Sequence, residues 1–375
     1  MTSPRTQRSE RIPCLDGLRA ISIAMVIAAH MEGTMTHDWT GPMALSDDLP
    51  MGDFVDLGSL GVRVFFVISG FLITKLLIEE QARTGTISLQ KFYFRRAFRI
   101  FPAFAFVVGA IAIAGHFGWI KLRVGDVFHA LTFTMNYHHD RAWELGHVWS
   151  IAVEEQFYLV WPALLIYLRP RGALIAAAAT MLVTPIVKVA TWKFFPDHRA
   201  GIGETFQTVA DTLATGAVLA LVRDRINAQS WFARAQSHGA APIVLFATAV
   251  AMHHLHTHAS FGFTLGETLT NISIALCIDA CARNPGSLVG RFLEQKPLVF
   301  AGTLSYSIYL VQQPFLYRDN HAWWASFPAN LGFVLGAALV SYYLVEKPFL
   351  GLRMKLERAA GRPREAAVHA PEGAS

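Results

Sequence analysis

The sequence predicts an all-α integral membrane protein of about ten transmembrane helices, with both termini in the cytoplasm. Hydrophobic residues make up 53% of the 375 residues and charged residues only 16%, whereas a soluble domain usually carries about a quarter charged residues. The apolar residues are gathered into stretches close to the roughly 20 residues that a helix needs to cross a bilayer. The net charge of +5 lies mostly in loops between these stretches, which argues against nucleic acid as a partner.

Ten stretches of the chain are candidates for spanning helices. The first is short and has polar ends, and the sixth is interrupted by Asp211. The 17 prolines and 28 glycines of the chain fit this interpretation, because membrane helices tolerate both residues. The ten stretches are 15–31, 58–78, 100–118, 147–168, 172–192, 206–222, 240–256, 264–282, 297–316 and 327–345.

Basic residues indicate how these helices are oriented. Lys and Arg cluster before the first stretch and in every second loop after it, as at Arg95, Arg96 and Arg99. The positive-inside rule places such loops in the cytoplasm. The intervening loops are acidic, as in 32–57, or rich in histidine and aromatic residues. An even number of helices then leaves both termini inside, and His30 lies toward the outer face.

The chain is predicted to have three parts. Residues 1–14 are a polar, basic cytoplasmic segment, and the apolar stretch after it is a retained anchor, since no cleavage site follows it. Residues 15–348 form the transmembrane domain, and residues 349–375 form a cytoplasmic, disordered tail. The three cysteines give no disulfide framework, because Cys277 and Cys281 are four apart in an apolar run that indicates helix packing.

The first stretch carries an arginine and a histidine on one helical face. Arg19 and His30 are 11 residues apart, about three turns, which separates them by roughly 16 Å along the axis. Such side chains are costly in lipid, so we expect them to face the protein interior or a wet cavity. The alternative is a signal anchor whose polar ends set the topology.

The next two motifs carry small and basic residues. Ser69 and Gly70 in the second stretch allow close helix packing or contact with a ligand. Arg96 and Arg99 share a helical face at the cytoplasmic boundary. Their forked guanidinium groups suit a phosphorylated donor, and the alternative is topology anchoring or binding of lipid headgroups.

Two adjacent carboxylates, Glu154 and Glu155, lie just inside the fourth stretch. They point about 100° apart on a helix, so at most one faces a given cavity squarely. One of them is predicted to orient a histidine or to balance Arg19, and a purely structural ion pair is the alternative. In the ninth stretch, Tyr306 and Tyr309 bond across helices or line a site.

No metal site is predicted. Histidines cluster at the end of the seventh stretch, but no carboxylate or cysteine accompanies them. Asp211 and Asp279 are further intramembrane acids whose partners the sequence leaves open. The clustered histidines are His253, His254, His256 and His258.

Five sequence runs follow one another in a fixed order along the chain. They begin with Leu-Asp-Gly-Leu-Arg, which includes Asp16, and its Arg-x10-His spacing. Next come Phe-Phe-Val-Ile-Ser-Gly-Phe-Leu and Arg-Arg-x-x-Arg-Ile-x-Pro. Trp-Ser-Ile-Ala-Val-Glu-Glu-Gln-Phe-Tyr, starting at Trp149 and Ser150, and Tyr-Ser-Ile-Tyr-Leu follow. Together these runs resemble the motifs of the membrane acyltransferase-3 family, bacterial O-acetyltransferases of lipopolysaccharide, exopolysaccharide and some macrolides. Glu346-Lys347-Pro348 also resembles the family's ending, so the likeness covers residues 15 to 348.

The resemblance implies transfer of an acyl group, expected to be acetyl, from cytoplasmic acyl-CoA to a hydroxyl of an extracytoplasmic or lipid-linked sugar. The acceptor is expected to be a surface polysaccharide, a lipopolysaccharide or a lipid-linked glycan, with a macrolide less favoured. The location is a bacterial inner membrane. The resemblance further implies that His30 and Arg19 are essential, that Arg96 and Arg99 contact the donor, and that Glu154 is the acid of its pair. Substrate-contacting or supporting roles fall to Asp16, Ser69, Trp149, Ser150, Glu155, Tyr306 and Tyr309.

One position departs from the family pattern. After Tyr-Ser-Ile-Tyr-Leu the family usually has an aromatic residue and then a histidine before the proline, whereas here Val311 and Gln312 take those places. A glutamine donates and accepts hydrogen bonds but does not titrate, which argues against proton transfer at Gln312.

The predicted mechanism uses His30 as general base on the acceptor hydroxyl, Glu154 to hold the imidazole, and Arg19 to stabilise negative charge. An acyl-histidine intermediate is an open alternative. The competing class is a proton-coupled transporter or flippase of a glycan or lipid-linked substrate, because buried Arg, His and Glu suit a carrier as well. Inverted half-repeats would favour the carrier, and none is evident in the sequence.

Overall fold

The structure is a computed structural model that describes residues 12, 14–35, 52–255, 261–317, 320 and 322–360. Throughout these residues the regular elements are helices, and no strand occurs among them. In chain order they are α1 (Cys14–Met35), α2 (Gly52–Thr84), α3 (Leu89–His116), α4 (Asp126–Leu131), α5 (Trp143–Gly146), α6 (Val148–Phe194), α7 (Phe206–Asn227), α8 (Ser230–Ser237), α9 (Ala241–Leu255), α10 (Glu267–Arg283), α11 (Leu288–Leu293), α12 (Lys296–Val311), α13 (Ala329–Val340) and α14 (Lys347–Ala360). Two π-helical segments, Gly262–Gly266 and Ser341–Glu346, lead into α10 and α14.

The all-helical membrane class is confirmed, but the count of ten is not. Seven helices of the described chain are long and apolar enough to cross a membrane, or eight if the bent pair α8 and α9 forms one span. The helical run Trp143–Phe194 counts once although it covers two predicted stretches, 147–168 and 172–192. The ninth stretch corresponds to α12, which has only 16 residues. The count of ten and the side of each terminus therefore stay predictions.

Several predicted features lie outside the described residues. These are most of the 1–14 segment, most of the acidic loop 32–57, and most of the predicted tail. Two of the four clustered histidines, His256 and His258, also lie there.

The long helix α6 is broken by its own sequence. Arg169 leaves helical geometry, with φ 58° and ψ 170°, and Pro170 follows it. A proline disfavours helical geometry in the residue before it, so the break falls where the sequence requires it. Beyond the break, Ile175, Leu182 and Ile186 are largely exposed, as side chains that face lipid would be.

Glycines bring the central helices close together. At Gly216 of α7, a Cβ would lie 2.7 Å from the Phe71 backbone nitrogen of α2, and at Gly70 it would overlap the Leu213 backbone. At Gly302 of α12, a Cβ would overlap the backbone of Asp16 in α1. Small residues at such crossings let backbones approach within a membrane. The predicted packing role of Gly70 is therefore seen in the structure.

Helix α1 lies between two parts of the hydrophobic core. One part joins its Ile23 to Phe104 of α3 and Ile308 of α12. The other joins its Leu18 to Phe71 of α2 and to α10. The polar side chains of α1 therefore lie among packed helices rather than at the rim of the molecule.

Candidate active site

His30 lies in a half-buried position near the end of α1. Its ring packs edge-on against Trp143 of α5, with ring centroids 5.5 Å apart. The fully buried side chain of Gln312, just after α12, faces the imidazole. His30 Nδ1 and both amide atoms of Gln312 are buried without a hydrogen bond of normal geometry. Because buried polar atoms are nearly always paired, these three atoms mark a place suited to a polar ligand.

His147 ties the start of α6 to the end of α12 beside this place. Its Nδ1 lies 2.8 Å from Gln313 Oε1, and its Nε2 lies 3.1 Å from the Leu310 carbonyl oxygen. The Tyr309 hydroxyl donates to the His147 carbonyl at 2.9 Å and lies 2.6 Å from Ser150 Oγ. Both ring nitrogens of His147 are thus occupied by α12 and the residues that follow it. Tyr309 and Ser150 support the helix junction that carries Gln312.

A second polar centre lies at the Arg19 end of α1. The helix is continuous from Cys14 to Met35, so Arg19 and His30 are roughly 16 Å apart along its axis. Arg19 Nη1 lies 3.3 Å from Asp16 Oδ1. Arg99 of α3 is an electrostatic neighbour of Arg19, and Glu346 is a neighbour of Arg99. Arg99 is exposed and makes no ion pair or hydrogen bond with any residue that the structure describes.

Arg96 is neutralised by its neighbours, in contrast to Arg99. Its Nε and Nη2 lie 3.0 and 2.9 Å from one oxygen of Glu155. Its guanidinium covers the ring of Tyr158, 3.1 Å from the centroid, and the Tyr158 hydroxyl is hydrogen-bonded to Ser69. Glu155 is therefore the member of the acid pair that forms an ion pair within the protein. Of the two arginines predicted to contact the donor, Arg99 is the one with its charge available.

Glu154 lies with this second centre and not with His30. Its neighbours are Ser69, Arg96 and Arg19. Glu154 is seven residues beyond His147, the residue before α6, and so lies about 10 Å further along the helix axis, whereas His147 is an electrostatic neighbour of His30. The expected contact between Glu154 and the imidazole is absent from the described contacts, because Trp143 and Gln312 surround the ring instead.

The remaining predicted residues hold the helices around the Arg99 side. The Tyr306 hydroxyl donates to the Ile100 carbonyl at 3.0 Å, which joins α12 to α3 next to Arg99. Trp149 packs edge-on against Phe66 of α2, with centroids 6.1 Å apart. Ser307 is hydrogen-bonded to Glu346, the first residue of the Glu-Lys-Pro run. Tyr306 thus joins α12 to α3, and Trp149 joins α6 to α2.

A buried charge network went unpredicted. Arg63 Nη2 of α2 lies 2.7 Å from Glu267 Oε2 of α10, and Lys188 of α6 is hydrogen-bonded to the same carboxylate. Asp211 of α7 accepts a bond of 3.1 Å from Asn271, and its Oδ1 lies 4.0 Å from Lys188 Nζ. These five residues are at most 7% exposed. The sequence signal was present, as single charges in apolar stretches, but only Asp211 was singled out.

Comparison with known proteins identifies relatives over nearly the whole chain. The family model described as "Acyltransferase domain" matches residues 12–346. The putative peptidoglycan O-acetyltransferase YrhL of Bacillus subtilis is 25% identical over 379 residues, covering 92% of this chain and 56% of the relative. No solved structure matches the chain significantly.

Two further relatives carry similar names. The O-acetyltransferase OatA of Staphylococcus aureus is 28% identical over 345 residues, covering 85% of this chain and 52% of the relative. The peptidoglycan O-acetyltransferase OatA of Listeria monocytogenes is 28% identical over 348 residues, covering 83% and 51%. The chain spans about half the length of the curated relatives that it matches.

Proposed function

We propose that this chain, which belongs to the acyltransferase family whose model matches residues 12–346, transfers an acyl group to a hydroxyl of an extracytoplasmic sugar. The group is acetyl, taken from acetyl-CoA, or a related acyl group taken from its CoA ester. The observation that carries the proposal is the pair of polar centres on α1. Two neighbouring arginines, Arg19 and Arg99, lie at one end, and the His30 imidazole, whose Nδ1 is buried without a hydrogen bond, lies roughly 16 Å away at the other. Family membership favours this transferase over the carrier.

The Arg19 end suits the donor. Arg99 is an exposed residue whose guanidinium forms no ion pair among the described residues, and guanidinium groups bind phosphate oxygens in forked geometry. Arg19 adds a second positive charge beside it. The separation of Arg19 from His30 is one that the extended pantetheine arm of CoA spans, so phosphates held at this end direct the thioester toward His30. Arg19 is too far from His30 to stabilise the reacting carbonyl, and we assign it to donor binding instead.

The His30 end suits the acceptor. In the proposed step, His30 accepts the proton of the sugar hydroxyl while the hydroxyl oxygen bonds to the thioester carbonyl carbon. The C–S bond then breaks, and the CoA sulfur takes the proton from His30. Gln312 positions the imidazole, in the place where the sequence suggested Glu154. Glu154 lies between Ser69 and Arg19, where it limits the positive charge of the donor end.

The names of the relatives guide the choice of acceptor. Two of the three, those of Bacillus subtilis and Listeria monocytogenes, are named as peptidoglycan O-acetyltransferases, so we propose a glycan of the cell envelope as the acceptor here. Lipopolysaccharide and lipid-linked glycans have no such support and rank below it.

The topology that we propose has ten membrane crossings. In it, α6 crosses twice, with its turn at Arg169 and Pro170, while α12 and the bent pair α8–α9 each cross once. The basic residues at the start of α3 then face the cytoplasm, with both termini, and His30 faces the outer side of a bacterial inner membrane.

The test uses membranes that contain the full chain and acetyl-CoA labelled in its acetyl group. Wild type is expected to move label into glycan, and His30→Ala is expected to abolish transfer while the protein remains folded. His116→Ala is the matched control, since His116 is a histidine at the end of α3, remote from the His30 ring in the described contacts. Full activity of His30→Ala would refute the mechanism, and no wild-type transfer to envelope glycans would refute the function.

A further inference from the structure

A cavity of about 450 Å³ opens between the end of α6, the start of α7 and the loop that precedes α5. It lies at the His30 end of the helices, since the same loop continues to Trp143, which contacts the His30 ring. The proposed transfer step makes no use of it. Its lining includes Tyr137, His139, Thr191, Phe195, His198 and Gln207.

The lining combines aromatic rings with neutral hydrogen-bonding groups. Tyr137 and Phe195 are exposed aromatic side chains, and Thr191 and Gln207 offer a hydroxyl and an amide. Among the described residues that line the cavity, none is Asp, Glu, Lys or Arg. Aromatic faces pack against the apolar faces of sugar rings, while hydroxyl and amide groups bond to sugar hydroxyls. Phosphorylated ligands are bound most strongly by Lys and Arg, and neither residue type lines this cavity among the described residues.

The helices that form the walls of this cavity are held together by the buried charge network of Arg63, Lys188, Asp211, Glu267 and Asn271. Lys188 is one turn before Thr191 on α6, and Asp211 is one turn after Gln207 on α7. Lys188 is hydrogen-bonded to Glu267 of α10 and lies 4.0 Å from Asp211. The network therefore joins α6, α7 and α10 directly beneath the cavity. Because ion pairs and hydrogen bonds join its walls, the cavity is preorganised, which lowers the entropy cost of binding a ligand.

The loop between the cavity and His30 is also held in place. The Tyr137 hydroxyl donates to Gln207 Oε1 at 3.0 Å. Arg141 Nη2 lies 2.7 Å from both carboxylate oxygens of Glu204, in the segment between α6 and α7. Tyr137 and Trp143 are six positions apart, a span of at most roughly 21 Å even if fully extended. One chain of linked sugars can thus reach from the cavity to His30.

We propose that this cavity is an acceptor subsite, which binds uncharged sugar rings of the glycan at a distance from the hydroxyl that receives the acetyl group. The proposal rests on the proposed function, because it assigns the cavity to the acceptor of that reaction. Binding energy gained here would orient a glycan chain at His30 without contacting the reacting atoms.

Direct binding tests the subsite independently of catalysis. The probe is chitotetraose, a chain of four β-1,4-linked N-acetylglucosamine units, titrated into the purified full chain by calorimetry. Phe195→Ala and Tyr137→Ala are expected to weaken binding by about threefold to tenfold, the range for loss of one aromatic contact. Tyr137→Phe keeps the ring and is expected to bind nearly as wild type. Trp119→Ala is the control, because Trp119 is 78% exposed and does not line the cavity.

Kinetics then separate this subsite from the active site. With chitotetraose as acceptor, Phe195→Ala is expected to raise KM and leave kcat unchanged. With monomeric N-acetylglucosamine, which is too short to occupy both places, the variant is expected to match wild type. Equal chitotetraose affinity in wild type and both alanine variants would overturn the proposal, as would no binding by wild type. If wild type binds chitotetraose but transfers no acetyl group to it, the proposed function alone is overturned.

Discussion

Arg96 and Arg99 belong to one sequence motif, yet we expect their removal to have different effects: replacing Arg99 weakens donor binding, and replacing Arg96 lowers stability. Arg99→Ala removes an exposed residue that forms no ion pair or hydrogen bond with any described residue, so stability is expected to change little. A charge-assisted hydrogen bond to a donor phosphate is worth about 1.5–3 kcal/mol, which corresponds to a KM for acetyl-CoA raised roughly 10-fold to 150-fold. The kcat is expected to change little, because this contact is made in the ground state and the transition state alike.

Arg96→Ala is expected to affect folding instead. It leaves Glu155 as a largely buried charge without a partner, and each of the two side chains is only 14% exposed. Breaking a buried ion pair costs about 3–5 kcal/mol, and the partial exposure places this pair toward the lower end of that range. Changing both residues together, as Arg96→Met with Glu155→Leu, is expected to recover most of this stability, because no unpaired charge remains.

The assay combines two measurements on purified protein in detergent. The KM for acetyl-CoA comes from initial rates with a fixed glycan acceptor, and the stability comes from the thermal unfolding midpoint. The expected pattern is a raised KM with an unchanged midpoint for Arg99→Ala, and a lowered midpoint for Arg96→Ala. If Arg99→Ala and Arg96→Ala raise the KM for acetyl-CoA equally and have the same unfolding midpoint, the distinction between the two arginines is refuted.

Three further predictions concern other parts of the site. Gln312→Ala is expected to lower kcat by about threefold to tenfold, the value of one polar contact, because its amide faces the imidazole that it is proposed to orient, with the KM for acetyl-CoA unchanged; a kcat equal to wild type would exclude a positioning role. Lys188→Met leaves two buried carboxylates against one arginine, and the unfolding midpoint is expected to fall by the equivalent of about 3–5 kcal/mol, whereas an unchanged midpoint would contradict the network. With labelled acetyl-CoA and no acceptor, rapid quenching is expected to leave no label on the chain; label on His30 would replace direct transfer by an acyl-histidine route.

The helical class and the placement of Arg19 and His30 on one face could be predicted from the sequence, because both follow from composition and helical periodicity. The break of α6 at Arg169 was also indicated by the division between two apolar stretches and by Pro170.

Long-range contacts were beyond such reasoning. Which of two adjacent acids meets Arg96 depends on the rotation of α6, and that rotation is fixed by packing against α2 and α7. The neighbour of His30 comes from the end of α12, nearly 300 residues away, so local spacing gave no information about it. Arg63, Lys188 and Glu267 come from three separate stretches, and each looked like an isolated exception until the fold brought them together.

The glycine contacts affect how mutational tolerance in this chain is interpreted. Any side chain at Gly216 or Gly302 would collide with the backbone of another helix, and at Gly17 with the backbone of Leu293. A saturation mutagenesis screen scored on activity would therefore rank these glycines as intolerant as His30, although they are distant from any reacting atom. Only a parallel readout of protein abundance in the membrane separates the two groups. Glycine variants would be depleted from the membrane, whereas His30 variants would be present and inactive.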